Sequence, residues 1–138
     1  MERQPIIISD HDHKRLRELI AQARQTGAAD ERCLNDLERE LDRATVVEPG
    51  QVPPDVVTMN SMVRVRADGS PRSWTWTIVY PEDADMDENR VSILEPMGTA
   101  LIGYRAGDEV EWDVPAGKRR YRIAEVLRQP EPAGETGA

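Results

Sequence analysis

An α+β chain is predicted: an antiparallel two-helix coiled-coil arm at the N-terminus, followed by an antiparallel sheet with one short helix. Three observations carry this. Apolar residues recur at helical intervals up to Ala44, the period falls to two from Val63 onward, and all six aromatic side chains lie beyond residue 70. These are Trp74, Trp76, Tyr80, Tyr104, Trp112 and Tyr121, and with no Phe in the chain they should mark where most area leaves water. The first half must then be packed by Leu, Ile and Ala.

Ser9 followed by Asp12 has the spacing of a capping box, and Leu16, Leu19, Ile20 and Ala23 follow at helical intervals, which predicts a helix from Asp10 to Thr26. Gly27 suits a left-handed stop. Asp30 can cap a second helix whose stripe, Leu34, Leu37, Leu41 and Ala44, is spaced as a coiled-coil seam. With only Gly27 to Ala29 between them, the two helices bury their stripes by folding back on each other. Such an arm reaches roughly 25 Å. Pro49, Pro53 and Pro54 then end the helical pattern and stiffen a connector.

Val63 and Val65 alternate with Arg64 and Arg66, and Trp74, Trp76, Ile78 and Tyr80 alternate with Thr75, Thr77 and Val79, so both runs read as strands. Asp68 to Pro71 supplies the turn between them. Further strands are expected over Arg90 to Leu94, Glu109 to Val114 and Arg119 to Leu127, the last two joined through Pro115, Ala116, Gly117 and Lys118. Met97 to Tyr104 has the composition of a short helix covering one face of the sheet. The chain thus divides into an arm over 1–46, a Pro-rich connector over 47–56, a sheet domain over 57–129 and a disordered tail over 130–138.

The 138 residues fit one domain, or a small domain with an appendage, and exclude a large enzyme. Lys and Arg number 18 against 26 Asp and Glu, a net charge of −8 that opposes attraction to phosphate backbones and anionic lipid. Direct sequence-specific nucleic-acid binding and membrane association are therefore not expected. No apolar run approaches the ~20 residues of a span. Cys33 is the single cysteine and no secretion signal is visible, so a soluble cytoplasmic protein, as a monomer, is the expectation.

Three constellations invite chemistry and each has a plainer reading. His11 and His13 interleave with Asp10 and Asp12, yet no second cluster closes a metal shell, and acidic residues in a first turn already complement the helix dipole. Asp83, Asp85, Asp87 and Asn89 open like a calcium loop, but Glu88 stands where glycine is needed and Leu94 where the closing Glu belongs. An exposed acidic loop remains. Lys118, Arg119, Arg120 and Arg122 read as a hairpin flank balanced by the acidic residues between Asp108 and Asp113, before any acidic partner. No phosphate loop and no Ser/His/Asp or Cys/His set is evident, so no catalytic residue, no cofactor and no metal is expected.

Val57 to Ser61, Val79 to Asp85, Val91 to Ile93, Glu95 to Gly103, Gly107-Asp108 and Pro115 to Gly117 together resemble, in order and spacing, the C-terminal domain of the Gre transcript-cleavage factors over roughly residues 52–128. With the short hairpin, Asp55-Val56 and Gln129-Pro130-Glu131, the whole chain resembles the Rnk-type regulators of nucleoside diphosphate kinase. The resemblance implies an FKBP-like sheet beside a coiled-coil arm, and RNA polymerase as partner, with docking at the rim of the secondary channel. The polymerase-docking loop of that family matches Leu94, Glu95, Pro96 and Met97 here. Cleavage factors carry a longer arm whose acidic tip helps hold a catalytic metal; this tip offers only Asp30 and Glu31, on an arm too short for the catalytic centre, and Asp30 reads first as a helix cap.

The resulting expectation is a non-catalytic transcription regulator that binds RNA polymerase, competes with Gre-type elongation factors and affects nucleoside diphosphate kinase indirectly. Two alternatives stay open: direct binding to nucleoside diphosphate kinase, and transcript cleavage assisted by Asp30 and Glu31. A prolyl-isomerase role, which an FKBP-like fold also suggests, is disfavoured because the aromatics read as sheet core rather than pocket lining.

Overall fold

Ser9 turns the chain from strand β1 (Ile7–Ser9) into helix α1 (Asp10–Thr26), its hydroxyl accepting a hydrogen bond from the Asp12 amide at 3.1 Å. The computed structural model describes residues 6–27, 29–114 and 117–129. Gly27, at φ 69°, ends α1, and Asp30 caps α2 (Glu31–Arg43) by accepting from the Arg32 amide at 2.9 Å. Helix α1 occupies the predicted span, and α2 follows its predicted cap but ends at Arg43, with Ala44 of the predicted stripe in extended backbone. Leu16, Ile20 and Ala23 of α1 and Leu34, Leu37 and Leu41 of α2 are buried.

Beyond the helices, β1 pairs in parallel with β2 (Thr45–Val47), Ile7 opposite Thr45, and so laces the two ends of the hairpin together. Neither segment is predicted as regular structure from the sequence, because runs of three residues carry no period.

Strands β3 (Met62–Ala67), β4 (Ser73–Val79), β5 (Arg90–Ser92), β6 (Glu109–Val114) and β7 (Gly117–Arg128) form one sheet in the order β5-β4-β3-β7-β6. The pairs β3–β4, β3–β7 and β6–β7 are antiparallel as expected. The sheet as a whole is mixed, because β5 runs parallel to β4, Thr77 opposite Arg90. A tight turn forces antiparallel strands; here two single-turn 3-10 helices, Pro81–Asp83 and Met86–Glu88, carry the chain back beside the start of β4. Register shifts between β3 and β7 mark bulges that curl the sheet.

Helix α3 (Pro96–Leu101) begins one residue before the predicted start, with Pro96 in its first turn, where a missing N–H costs nothing. It stops short of the predicted Tyr104 because Gly103 adopts φ +81° and turns the chain. Gly98 seats this helix on the sheet: a Cβ there would meet the Ser92 carbonyl at 2.5 Å. The Thr99 hydroxyl donates to the Ile93 carbonyl at 2.9 Å, fixing the same contact.

The hairpin does not stand free of the sheet. Its buried leucines share one core with Val57, Val63, Ile78, Leu101 and Ile123. Two tyrosines from the sheet side meet one acid on each helix: Tyr104 Oη donates to Glu40 Oε2 at 3.0 Å, and Tyr80 Oη to Asp12 Oδ1 at 3.5 Å. Burial, then the Asp12 charge, pushes the Tyr80 phenol well above its ordinary range, so it stays a donor. The Gln129 amide pins the end of β7 to the connector through the Pro53 and Val56 carbonyls, at 2.8 and 2.7 Å.

The core is more aliphatic than the aromatic count suggested. Tyr80 and Tyr104 are buried, whereas Trp74, Trp76 and Tyr121 are half-buried at its margin, Trp74 edge-on to Tyr121 at 5.7 Å. The predicted tail over 130–138 and the Pro115-Ala116 turn lie outside the described residues.

Removing the Tyr104 hydroxyl takes a donor from a buried carboxylate. Tyr104→Phe should therefore cost about 1–3 kcal/mol in urea unfolding, and Gly98→Ala a similar amount through overpacking. A variant with unchanged midpoint would show that the contact in question carries no weight.

Candidate functional site

The loop leading into α3 is held by its own backbone. The Ser92 hydroxyl accepts from the Leu94 amide at 3.1 Å and the Ser92 carbonyl from the Glu95 amide at 3.0 Å, a compact turn after β5. Leu94 and Met97 are half-buried against the core, and Glu95 and Pro96 are exposed. Glu95 sits at the N-cap position without capping, and its carboxylate has no hydrogen-bond or ion-pair partner among the described residues. An exposed, unpaired carboxylate beside a rigid proline can form a charged contact without first breaking one.

At the arm tip both acids already have work inside the hairpin. Asp30 caps α2, and Glu31 accepts from Arg24 Nε at 2.9 Å. Arg24 also reaches both carboxylate oxygens of Glu38, at 3.0 Å each, and the Asn35 side-chain oxygen at 2.7 Å, so one guanidinium ties the last turn of α1 to α2. The hydrogen bond from Arg24 holds the Glu38 carboxyl below the usual carboxylate range. No group of three or more His, Cys, Asp or Glu is placed to share a metal ion among the described residues.

Tip and loop face each other across a cleft of about 780 Å³. The hairpin side contributes Leu19, Gln22, Ala29, Asp30 and Cys33; the sheet side contributes Pro81, Leu94, Glu95 and Pro96. The fold thus brings Asp30 together with Leu94, Glu95 and Pro96, while Glu31 and Met97 stay outside the lining. Burial, followed by the charges of Asp30, Asp36 and Glu95, pushes the Cys33 thiol up. Leu19, Ala29, Cys33 and Pro81 are not read as site residues from the sequence. The one available signal was Leu19 itself, which next to Ile20 widens the apolar stripe past a simple seam.

The other constellations resolve into local structure. His13 Nε2 lies 3.1 Å from the Leu41 carbonyl across the hairpin, and Asp85 accepts from the Asp87 amide at 3.0 Å in its loop. Arg120 pairs with Glu111 at 3.0 Å, and Lys118 and Arg122 lie 3.9 and 3.8 Å from Glu111 and Glu109, the balanced flank expected.

Residues 52–128 match the family described as transcription elongation factor, GreA/GreB, C-term, and residues 4–47 match the Rnk N-terminus. The regulator of nucleoside diphosphate kinase of Escherichia coli (strain K12) is 39% identical over 138 residues, 98% of each chain. Transcription elongation factor GreA of Chlorobaculum parvum is 32% identical, covering 88% of this chain and 86% of that one. A solved structure, the prokaryotic transcription elongation factor GreA/GreB from Nitrosomonas europaea, superposes with a TM-score of 0.75 at 46% identity, over 89% of this chain and 99% of the other. No described helix is long and apolar enough to cross a membrane.

Because the folded Glu38 carboxyl is held low, its pairing stabilises the hairpin above the ordinary carboxylate range and is lost as pH falls through the lowered value. The stability gap between the unaltered protein and Arg24→Gln should be widest at neutral pH and close in acid. A gap that persisted below about pH 2 would assign the effect of Arg24 to packing.

Proposed function

This chain belongs to the GreA/GreB family and carries the N-terminus of the Rnk-type regulators, and from that premise we propose that it is a non-catalytic, cytoplasmic regulator of transcription that docks on RNA polymerase. Leu94, Glu95, Pro96 and Met97 form the docking element at the rim of the secondary channel, where the protein competes with longer-armed factors. The observation that supports this most is the exposed Glu95-Pro96 pair on a backbone fixed by Ser92, Gly98 and Thr99. A preorganised contact of this kind avoids the ordering cost that a mobile loop would meet on binding. The residues over 1–46 and 57–129 serve as two functional parts, arm and docking module, joined by 47–56.

The arm favours regulation over cleavage. Asp30 and Glu31 are engaged in capping and in the Arg24 cluster, and two carboxylates so occupied are poor recruits for a metal. A second reading, direct binding to nucleoside diphosphate kinase, draws on the name of the Escherichia coli relative. Under the first reading, any effect on that kinase is indirect and follows from altered transcription.

Pro96→Ala combined with Met97→Ala should weaken binding to core RNA polymerase about tenfold, with the sheet still folded by circular dichroism. Full affinity in that variant would remove the loop from the interface. Co-purification at physiological salt that retains the kinase and not polymerase would select the second reading. Added to a stalled elongation complex, the unaltered protein should leave transcript length unchanged; shortened transcripts that disappear in Asp30→Ala with Glu31→Ala would make it a cleavage factor.

A further inference from the structure

We propose that the docking partner is seated in the cleft between the hairpin and the α3 loop, not on the loop alone, and that the cleft receives a protein segment presenting an apolar side chain flanked by Lys or Arg. This rests on the polymerase reading and names the chemistry of the contact. At about 780 Å³ the cleft has room for several side chains. Its apolar surface comes from both sides: Leu19 and Ala29 from the hairpin, Pro81, Leu94 and Pro96 from the sheet. Its charge has one sign. Asp30, Glu82 and Glu95 line it, and among the described residues neither Lys nor Arg does.

Arg15 is stacked on the Tyr80 ring at 4.0 Å and lies 4.0 Å from Glu82, and Arg32 stands in the adjoining hollow beside Cys33, so these cations border the cleft without lining it. Glu95 has no hydrogen-bond or ion-pair partner among the described residues. Burial first, and then the charges of Asp30, Asp36 and Glu95 against the opposing charge of Arg32, raise the Cys33 thiol on the cleft wall. Phosphates and nucleic acid are thereby disfavoured. A Lys or Arg suits both features, because its methylene stem covers apolar surface while its head reaches the rim. On this view the short arm is one wall of the seat and not a probe into the channel.

Gln22 and Gln25 separate the two possibilities. Both are exposed on α1, but Gln22 lines the cleft and Gln25 does not. Gln22→Arg should lower affinity for core RNA polymerase about tenfold, and Gln25→Arg, which changes net charge equally, should stay within about twofold. On the unaltered protein, alkylation of Cys33 by N-ethylmaleimide should slow about tenfold in the complex relative to free protein. Equal effects of the two substitutions, no effect of either, or an unprotected Cys33 in a formed complex would overturn the cleft and leave loop docking standing. Failure of the unaltered protein to bind polymerase would overturn both.

Discussion

Two carboxylates held out of water, Asp12 on one helix and Glu40 on the other, each meet a tyrosine hydroxyl from the sheet side, and the placement of the hairpin depends on that pairing. A charge in an apolar interface is costly unless a donor is positioned for it, and a donor so positioned makes any other docking angle worse. The leucine stripes are buried in the shared core, but apolar contact is non-directional and would tolerate sliding. The tyrosines convert adhesion into register. With the register set, the arm tip lies opposite the loop before α3, and the cleft between them follows.

Much of this architecture was legible in the chain. Both helices could be bounded because their ends carry side-chain signals: Ser9 and Asp30 cap, and Gly27 stops. The long strands announced themselves through alternation, as in Val63 and Val65 against Arg64 and Arg66. What escaped was long-range and short in sequence. The β1–β2 pair spans three residues on each side and is specified by what it meets, not by pattern. The parallel course of β5 depends on where the Pro81–Glu88 segment returns the chain, and no local preference records it. Trp74 and Trp76 looked like core because aromatic area is large, yet the curl of the sheet leaves them at the edge.

The candidate site divides along the same line. Leu94 to Met97 were visible through the family resemblance, and Asp30 as a cap. That Asp30 and Pro96 line one cleft is a fact about tertiary placement, and neither residue type nor spacing carries it. Leu19 is instructive, since a position one step off the helical seam reads as redundancy until a second surface is found for it to face. Where the hairpin lies down on its neighbour, its flank and its tip together become surface of the cleft.

The lacing at the base of the hairpin also bears on the order in which the molecule assembles. The Ile7 amide donates to Gly103 and the Thr45 amide to Ile6, so strand β1 closes only after three remote stretches of chain have converged. The two helices can meet early through local contacts, whereas these bonds must wait for the slow, non-local closure of the sheet. Arm and helix α3 therefore acquire their mutual geometry in a single late event, and a nascent chain still lacking Gly103 has helices but no cleft.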